Sequence, residues 1–189
     1  MKSKTRCPWS TQIPLMIEYH DKEWGVPVHN DKKLFEFLIL EGFQAGLSWR
    51  TILNKRENFR KAFDNFDFNK VAMYDKRKIN SLLKDEGIIR NKLKIEGAIT
   101  NAKAFLQVRK EFGTFDKYIW KFVNGKPIQN KFKSLQDIPV RTELSDKISD
   151  DLKKKGFKFV GSTIVYAHMQ ATGMVNDHIT ECFRYKEIR

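Results

Sequence analysis

Apolar residues recur along most of this chain at i, i+3, i+4 and i+7, the period of a helix with one buried face. Leu34, Phe37 and Leu38 share such a face, and Asp31 stands where a helix cap belongs. Ser48 can cap a second helix with Trp49, Ile52, Leu53, Phe59 and Phe63 in its stripe. Asp67 opens a short third, and Asp75 a fourth that ends near Asp85. After Arg90 a long helix carries Ile95, Ala98, Ile99, Ala102, Phe105 and Leu106, until Gly113 stops it. Two more cover 114–123 and 145–155. Residues 160–172 begin with β-branched side chains, but the length of the run and Gly173 after it predict a buried helix. Alternation suited to a strand is confined to a short piece near 157–159. The prolines, at 8, 14, 27, 127 and 139, fall outside the strongly periodic segments. The pattern predicts an all-α fold.

Composition narrows the class. With 189 residues, 41% of them hydrophobic and 31% charged, the chain suits one folded unit over 1–189. No repeat, low-complexity tract or Pro/Gly/Ser linker divides it. The longest plainly apolar run, 37–40, is far too short for a membrane span. The first ten residues hold no apolar stretch of the signal-peptide kind, so a cytoplasmic location is expected. The net charge of +13 favours a polyanionic partner, nucleic acid first and an anionic membrane second. Aromatic residues at 13% allow a large core or a stacking pocket.

Both cysteines, Cys7 and Cys182, lie near opposite ends, each with a histidine at ligand range. Twelve residues separate Cys7 from His20; His178 and Cys182 are i and i+4, one helical turn apart. Two thiolates and two imidazoles make a closed tetrahedral zinc set of the structural kind. Spacing leaves two other readings open: free thiols with surface histidines, or a disulfide joining the ends. His29 and His168 lack cysteine neighbours and are expected on the surface or in the core.

Residues 76–94 carry seven basic and two acidic side chains. A helix with Leu82 and Leu83 runs into Gly87, Ile88, Ile89 and Arg90 and then into the long helix, so 76–112 forms a helical hairpin. Backbone N–H groups at such a turn suit a phosphate. The pattern is that of a helix-hairpin-helix, which grips one DNA backbone without reading sequence; a plain solvated hairpin is the alternative. Lys153, Lys154, Lys155 and Lys158 form a second basic run with the same two readings.

Glu41 lies four residues after Phe37 and seven after Leu34, and so continues an apolar stripe. A carboxylate there is costly unless paired or neutralised, which makes it a functional candidate. In the other reading the helix ends before it. Gly42 and Gly46 support a loop from Glu41 to the Ser48 cap, able to approach a ligand closely. Trp9, Trp24 and Trp49 bracket this region, with Tyr19 beside His20. Indoles and a phenol around one acidic group suit a flat, electron-poor or cationic ligand; core packing is the alternative.

At these residues the chain closely resembles the bacterial 3-methyladenine DNA glycosylase I family, within the helix-hairpin-helix DNA glycosylase superfamily. The likeness runs from Cys7 to Cys182 and rests on YHDKEWGVP (19–27), LEGFQAGLSW (40–49), EGIIRNKLKI (86–95), GFKFVG (156–161) and VNDH (175–178). It implies one structural zinc held by Cys7, His20, His178 and Cys182, linking 7–30 to 175–185. It implies that Glu41 recognises and helps to expel the damaged adenine, that Trp49 and Trp9 stack on it, and that Tyr19 and Trp24 shape the wall. The DNA-inserting loop maps to 44–47, with Gln44, Gly46 and Leu47. Gly87, Arg90 and Lys92 fall on the hairpin. Met16 stands where family members carry a tyrosine, and the hairpin has one glycine where most of the superfamily has two. The superfamily's usual catalytic aspartate is missing; Asp116 is nearby but reads as a first-turn helix residue.

The resemblance implies a monomeric base-excision enzyme that acts on alkylated double-stranded DNA, releases free 3-methyladenine and associates with the nucleoid. Methylation at N3 makes the base cationic and a good leaving group, so extrusion and water attack suffice. Glu41 is expected to act ionised. The motifs place no lysine in the pocket, so no lyase step is expected. A non-catalytic, zinc-stapled DNA-binding module is the rival from another class, and a bifunctional glycosylase/lyase is a further one.

Overall fold

The computed structural model describes residues 4–188. Its centre is helix α2 (Asp31–Gln44), whose side chains from Leu34 through Phe43 are all buried. Sequence periodicity predicts one buried face, but this helix is enclosed on every side. It contacts α3 (Trp49–Ala62), α6 (Lys92–Phe112), α7 (Phe115–Trp120) and α9 (Ser162–Ala171). Helix α1 (Pro14–Lys22), which the periodicity does not reveal, packs on α3 with Pro14 in its first turn. Short α4 (Phe68–Ala72) lies on α6, and α8 (Glu143–Lys154) on α9. Helix α10 (Phe183–Glu187) closes the chain. Among the described residues no helix is long and apolar enough to cross a membrane.

Caps explain most boundaries. Ser48, Asp67, Asp75 and Thr114 each accept a backbone N–H from the helix they open. Asp31 does not cap α2; Asn30 does, accepting from Lys33 N at 3.0 Å. The Asp31 carboxylate instead accepts from Phe115 N and Asp116 N, at the start of α7, and from Arg109. It thus ties two helix ends together across the core.

The expected strand at 157–159 is absent. Phe159 has a positive φ of 55° there and wedges its ring between α2 and α6. A Cβ at Gly97 would lie 2.7 Å from that ring, which accounts for a glycine in the middle of a long helix. The only sheet among the described residues is a two-residue parallel pair, β1 (Ile128–Gln129) with β2 (Val175–Asn176).

Helices α5 (Lys76–Lys84) and α6 pack against each other across a short turn, as a helical hairpin. Ile88 is buried in its turn, and Asn91 caps α6 by accepting from Lys94 N.

Candidate active site and metal centre

Helix α2 runs through Glu41 to Gln44, so no loop begins at Glu41. Gly42 is there for close packing: a Cβ on it would meet Phe159 Cβ at 3.4 Å. The connection to α3 is a tight turn in which Leu47 N donates to Gln44 O at 2.6 Å. Ala45 (φ −46°, ψ 116°) followed by Gly46 (φ 78°) follows the type II pattern, which favours glycine at the third position. Leu47 emerges 40% exposed.

The last turn of α2 puts Glu41 into a cavity of about 490 Å³. Trp9, Tyr19, Trp24 and Trp49 line it, as does Met16. Tyr19 and Trp49 rings are 5.4 Å apart, and Trp9 meets Trp24 edge-on at 5.0 Å. Glu41 is 4% exposed, and no hydrogen bond from another described side chain or backbone group reaches its carboxyl. Burial pushes its pKa up to about 8, well above the ordinary carboxylate range. Burial, and then Glu41 itself, raise the Tyr19 phenol well above its usual range. Trp49 Nε1 is buried without an acceptor. A second recess joins Glu41 and Gln44 to Gly46 and Leu47.

Salt bridges brace the wall from behind. Arg56 of α3 makes a two-pronged contact with Glu23, at 2.9 Å to each oxygen, and bonds Glu36 of α2 at 2.7 Å. Glu23 precedes Trp24, so the indole's backbone is tied to two helices.

Sequence reading misses the far wall. Tyr166 and Gln170, one turn apart on α9, line the cavity and both donate to Asp177 Oδ2, at 2.7 and 2.8 Å. The only signal is their i, i+4 spacing, which on a buried helix is indistinguishable from packing. Asp177, fully buried within VNDH, also accepts from Asn130 at 2.7 Å.

Cys7, His20, His178 and Cys182 converge next door, all buried, with one ligand atom from each within 4.8 Å of the others. His178 and Cys182 come together through a non-helical turn, not the helical spacing predicted. Cys7 Sγ lies 3.6 Å from His178 Nδ1, and Cys182 Sγ lies 3.5 Å from His178 Nδ1 and 3.4 Å from His20 Nε2. The S···N edge of a tetrahedral zinc site is about 3.6 Å from ordinary Zn–S and Zn–N lengths. The outer ring nitrogens are also held: His20 Nδ1 by Asp21 at 2.8 Å, His178 Nε2 by the Trp24 carbonyl at 3.1 Å. Contact with Cys7, then with His178 and His20, depresses the Cys182 thiol, while the same sulfur contact raises Cys7. The donor set fits a divalent ion such as zinc. Gly25 permits this approach: its φ is 79°, and a Cβ would stand 3.0 Å from His178 Nε2. Both cysteines are free thiols, so the disulfide reading does not hold.

Gly87, Arg90 and Lys92 lie on the hairpin, outside the cavity. Arg90 and Lys92 are exposed, in loose pairs with Glu86 and Glu96. Lys153 and Lys155 pair with Asp150 and Glu111. His29 bonds Asp116 at the surface, where Asp116 is in the first turn of α7. His168 is buried in α9 with both ring nitrogens unpartnered, and burial lowers its pKa to about 4.

A family model described as methyladenine glycosylase matches residues 9–185. DNA-3-methyladenine glycosylase 1 of Escherichia coli (strain K12) is 51% identical over 95% of this chain and 96% of its own. A crystal structure of 3-methyladenine DNA glycosylase I superposes with a TM-score of 0.92 at 50% identity, covering 95% of this chain and 98% of that one. A tyrosine-to-phenylalanine variant of 3-methyladenine DNA glycosylase I, in complex with 3-methyladenine, superposes at 0.91 with 34% identity, over 94% and 96%. The chain belongs to the methyladenine glycosylase family.

Proposed function

We propose that this protein is a monofunctional DNA N-glycosylase that extrudes 3-methyladenine from alkylated duplex DNA and hydrolyses its glycosidic bond. The observation that carries the reading is Glu41: a buried acid without a hydrogen-bond partner among the described residues, in a cavity walled by three indoles and two phenols. A pure DNA-binding module has no use for such a pocket.

The chemistry follows from the residues. The N3-methylated base is cationic within DNA, and the indoles favour its electron-poor ring. Its charge offsets the desolvation that keeps Glu41 neutral, so the carboxyl releases its proton to solvent as the base enters. The resulting carboxylate accepts from the exocyclic amine and stabilises the cation. Normal adenine brings no charge and leaves Glu41 protonated. It also holds its sugar through a stronger, neutral glycosidic bond. Water then attacks the sugar as the base departs. Among the described residues no lysine lines the cavity, so none there offers the usual amine for a Schiff-base lyase step.

The rest of the chain serves delivery. We assign Gln44, Gly46 and Leu47 to insertion beside the extruded nucleotide, and Gly87, Arg90 and Lys92 of a helix-hairpin-helix over 76–112 to the phosphate backbone. Zinc at Cys7, His20, His178 and Cys182 supplies no reaction step; it links 7–30 to 175–185 and so holds Trp9, Tyr19 and Trp24 in place.

The test is base release from methylated duplex DNA, with the freed base identified. The expected result is 3-methyladenine plus an intact abasic strand. DNA binding without release would leave the non-catalytic module; covalent trapping by borohydride would reveal a lyase.

A further inference from the structure

Among the basic residues of the hairpin, Lys94 does not face outward. It sits in the first turn of α6 and reaches across to the end of α2. Its Nζ donates to Phe43 O at 2.9 Å and Ala45 O at 2.6 Å. Terminal carbonyls of a helix lack intrahelical partners, and the extended Ala45 gives α2 no left-handed cap. Lys94 therefore does the capping, at the point where the turn carrying Leu47 begins. Burial lowers its pKa, in keeping with an ammonium drawn away from water.

A second lysine makes the reverse connection. Lys55 of α3, the helix that follows this turn, donates to Glu86 O at 2.9 Å and Gly87 O at 3.3 Å. Those carbonyls belong to the hairpin turn. Each segment thus supplies a cation to the backbone of the other.

We infer that Lys94 and Lys55 form a reciprocal staple that fixes the height of the Leu47 turn relative to the hairpin. They are positioning residues for base extrusion and not phosphate contacts. The inference rests on the reading that turn and hairpin both meet DNA. Two surfaces far apart in the chain must seat together on one duplex. A turn free to swing would have to be ordered during each extrusion, at an entropic cost.

The experiment compares Lys94→Gln and Lys92→Gln by single-turnover excision, the salt slope of binding to undamaged duplex, free-base binding, and hydrogen exchange at 44–48. For Lys94→Gln, excision is expected to fall at least about tenfold and exchange at 44–48 to quicken. Its salt slope should equal that of wild type, without the loss of about one phosphate contact expected of Lys92→Gln, and its free 3-methyladenine affinity should remain within about twofold. Lys94→Arg, which can still donate to two carbonyls, should recover most of the rate. Lys55→Gln carries the same expectation from the opposite side and serves if Lys94→Gln does not fold.

A slope flattened as in Lys92→Gln would make Lys94 a phosphate contact and overturn the inference. So would unchanged excision and exchange, or a parallel loss of free-base binding. If wild-type protein releases no base, the glycosylase reading fails by itself, while exchange at 44–48 still decides whether the lysines hold the turn.

Discussion

The cysteine–histidine knot and the aromatic cavity meet at Trp24, whose ring is 4.6 Å from His178 on one side and 5.0 Å from Trp9 on the other. Their polar groups are in opposite states. In the knot, sulfurs and inner ring nitrogens face one another, and Asp21 and the Trp24 carbonyl hold the outer nitrogens. In the cavity, Glu41 has no hydrogen-bond partner among the described residues and Trp49 Nε1 is buried without an acceptor. Buried polar groups are normally satisfied. A cluster satisfied among its own members, with room for one ion, holds a structure together. A cluster with bonding capacity left over awaits a ligand.

Breaking the knot should have the largest effect. Cys182→Ala should lose the metal and unfold at a markedly lower temperature, because binding energy at a structural zinc site is folding energy. Metal analysis together with a thermal melt checks this. Zinc-free wild-type protein of full stability would erase the distinction between the regions.

The cavity should respond in the opposite sense. With Glu41 raised to about 8 from an ordinary 4.5, the folded state holds a proton that the unfolded state gives up between these values. Stability is therefore fully present below about pH 4.5 and declines as pH rises towards 8. Glu41→Gln should remove that decline and gain up to roughly 3 kcal/mol at pH 7. Denaturant melts at pH 5 and pH 7.5 measure it; parallel pH profiles for the two proteins would contradict it.

Trp24→Leu sharpens the boundary. Since the indole serves both regions, stability and free-base affinity should fall together, each by about 1 kcal/mol. A loss confined to one would show that the regions are energetically separate. The smallest effect belongs to the hairpin: Lys92→Gln should reduce the salt slope of duplex binding by about one phosphate contact and leave melt and metal content unchanged. An equal slope would move the DNA contact elsewhere.

Much of this was legible in the sequence because caps and periodicity are local. Ser48, Asp67 and Asp75 declare their helices, and Gly113 ends the long one. Asp31 misleads because its carboxylate serves another helix 84 residues on. Gly42 suggests a loop because sequence does not show Phe159 pressed against it. The knot could be read from four rare ligand residues, though the turn joining His178 to Cys182 could not. Glu41 stood out as a charge on an apolar stripe. The rise of its pKa depends on the enclosing walls, which include Tyr166 and Gln170. Those side chains look like ordinary positions of a buried helix until Asp177 is seen to hold them.

The central claim is that unspent bonding capacity at Glu41 recognises the damaged base. Calorimetric titration of free 3-methyladenine into wild type and Glu41→Gln tests it most directly. Free 3-methyladenine is neutral and takes the Glu41 proton onto a ring nitrogen as it binds, so the same carboxylate–cation pair forms. The substitution keeps the shape but removes that proton donor and the resulting charge, and turns one acceptor into a donor. Affinity should fall by roughly 1.5–3 kcal/mol, the worth of a charged hydrogen bond, with zinc content unchanged and stability equal or higher. A variant that binds the base as tightly as wild type would remove Glu41 from recognition and leave the indoles as the whole of the pocket.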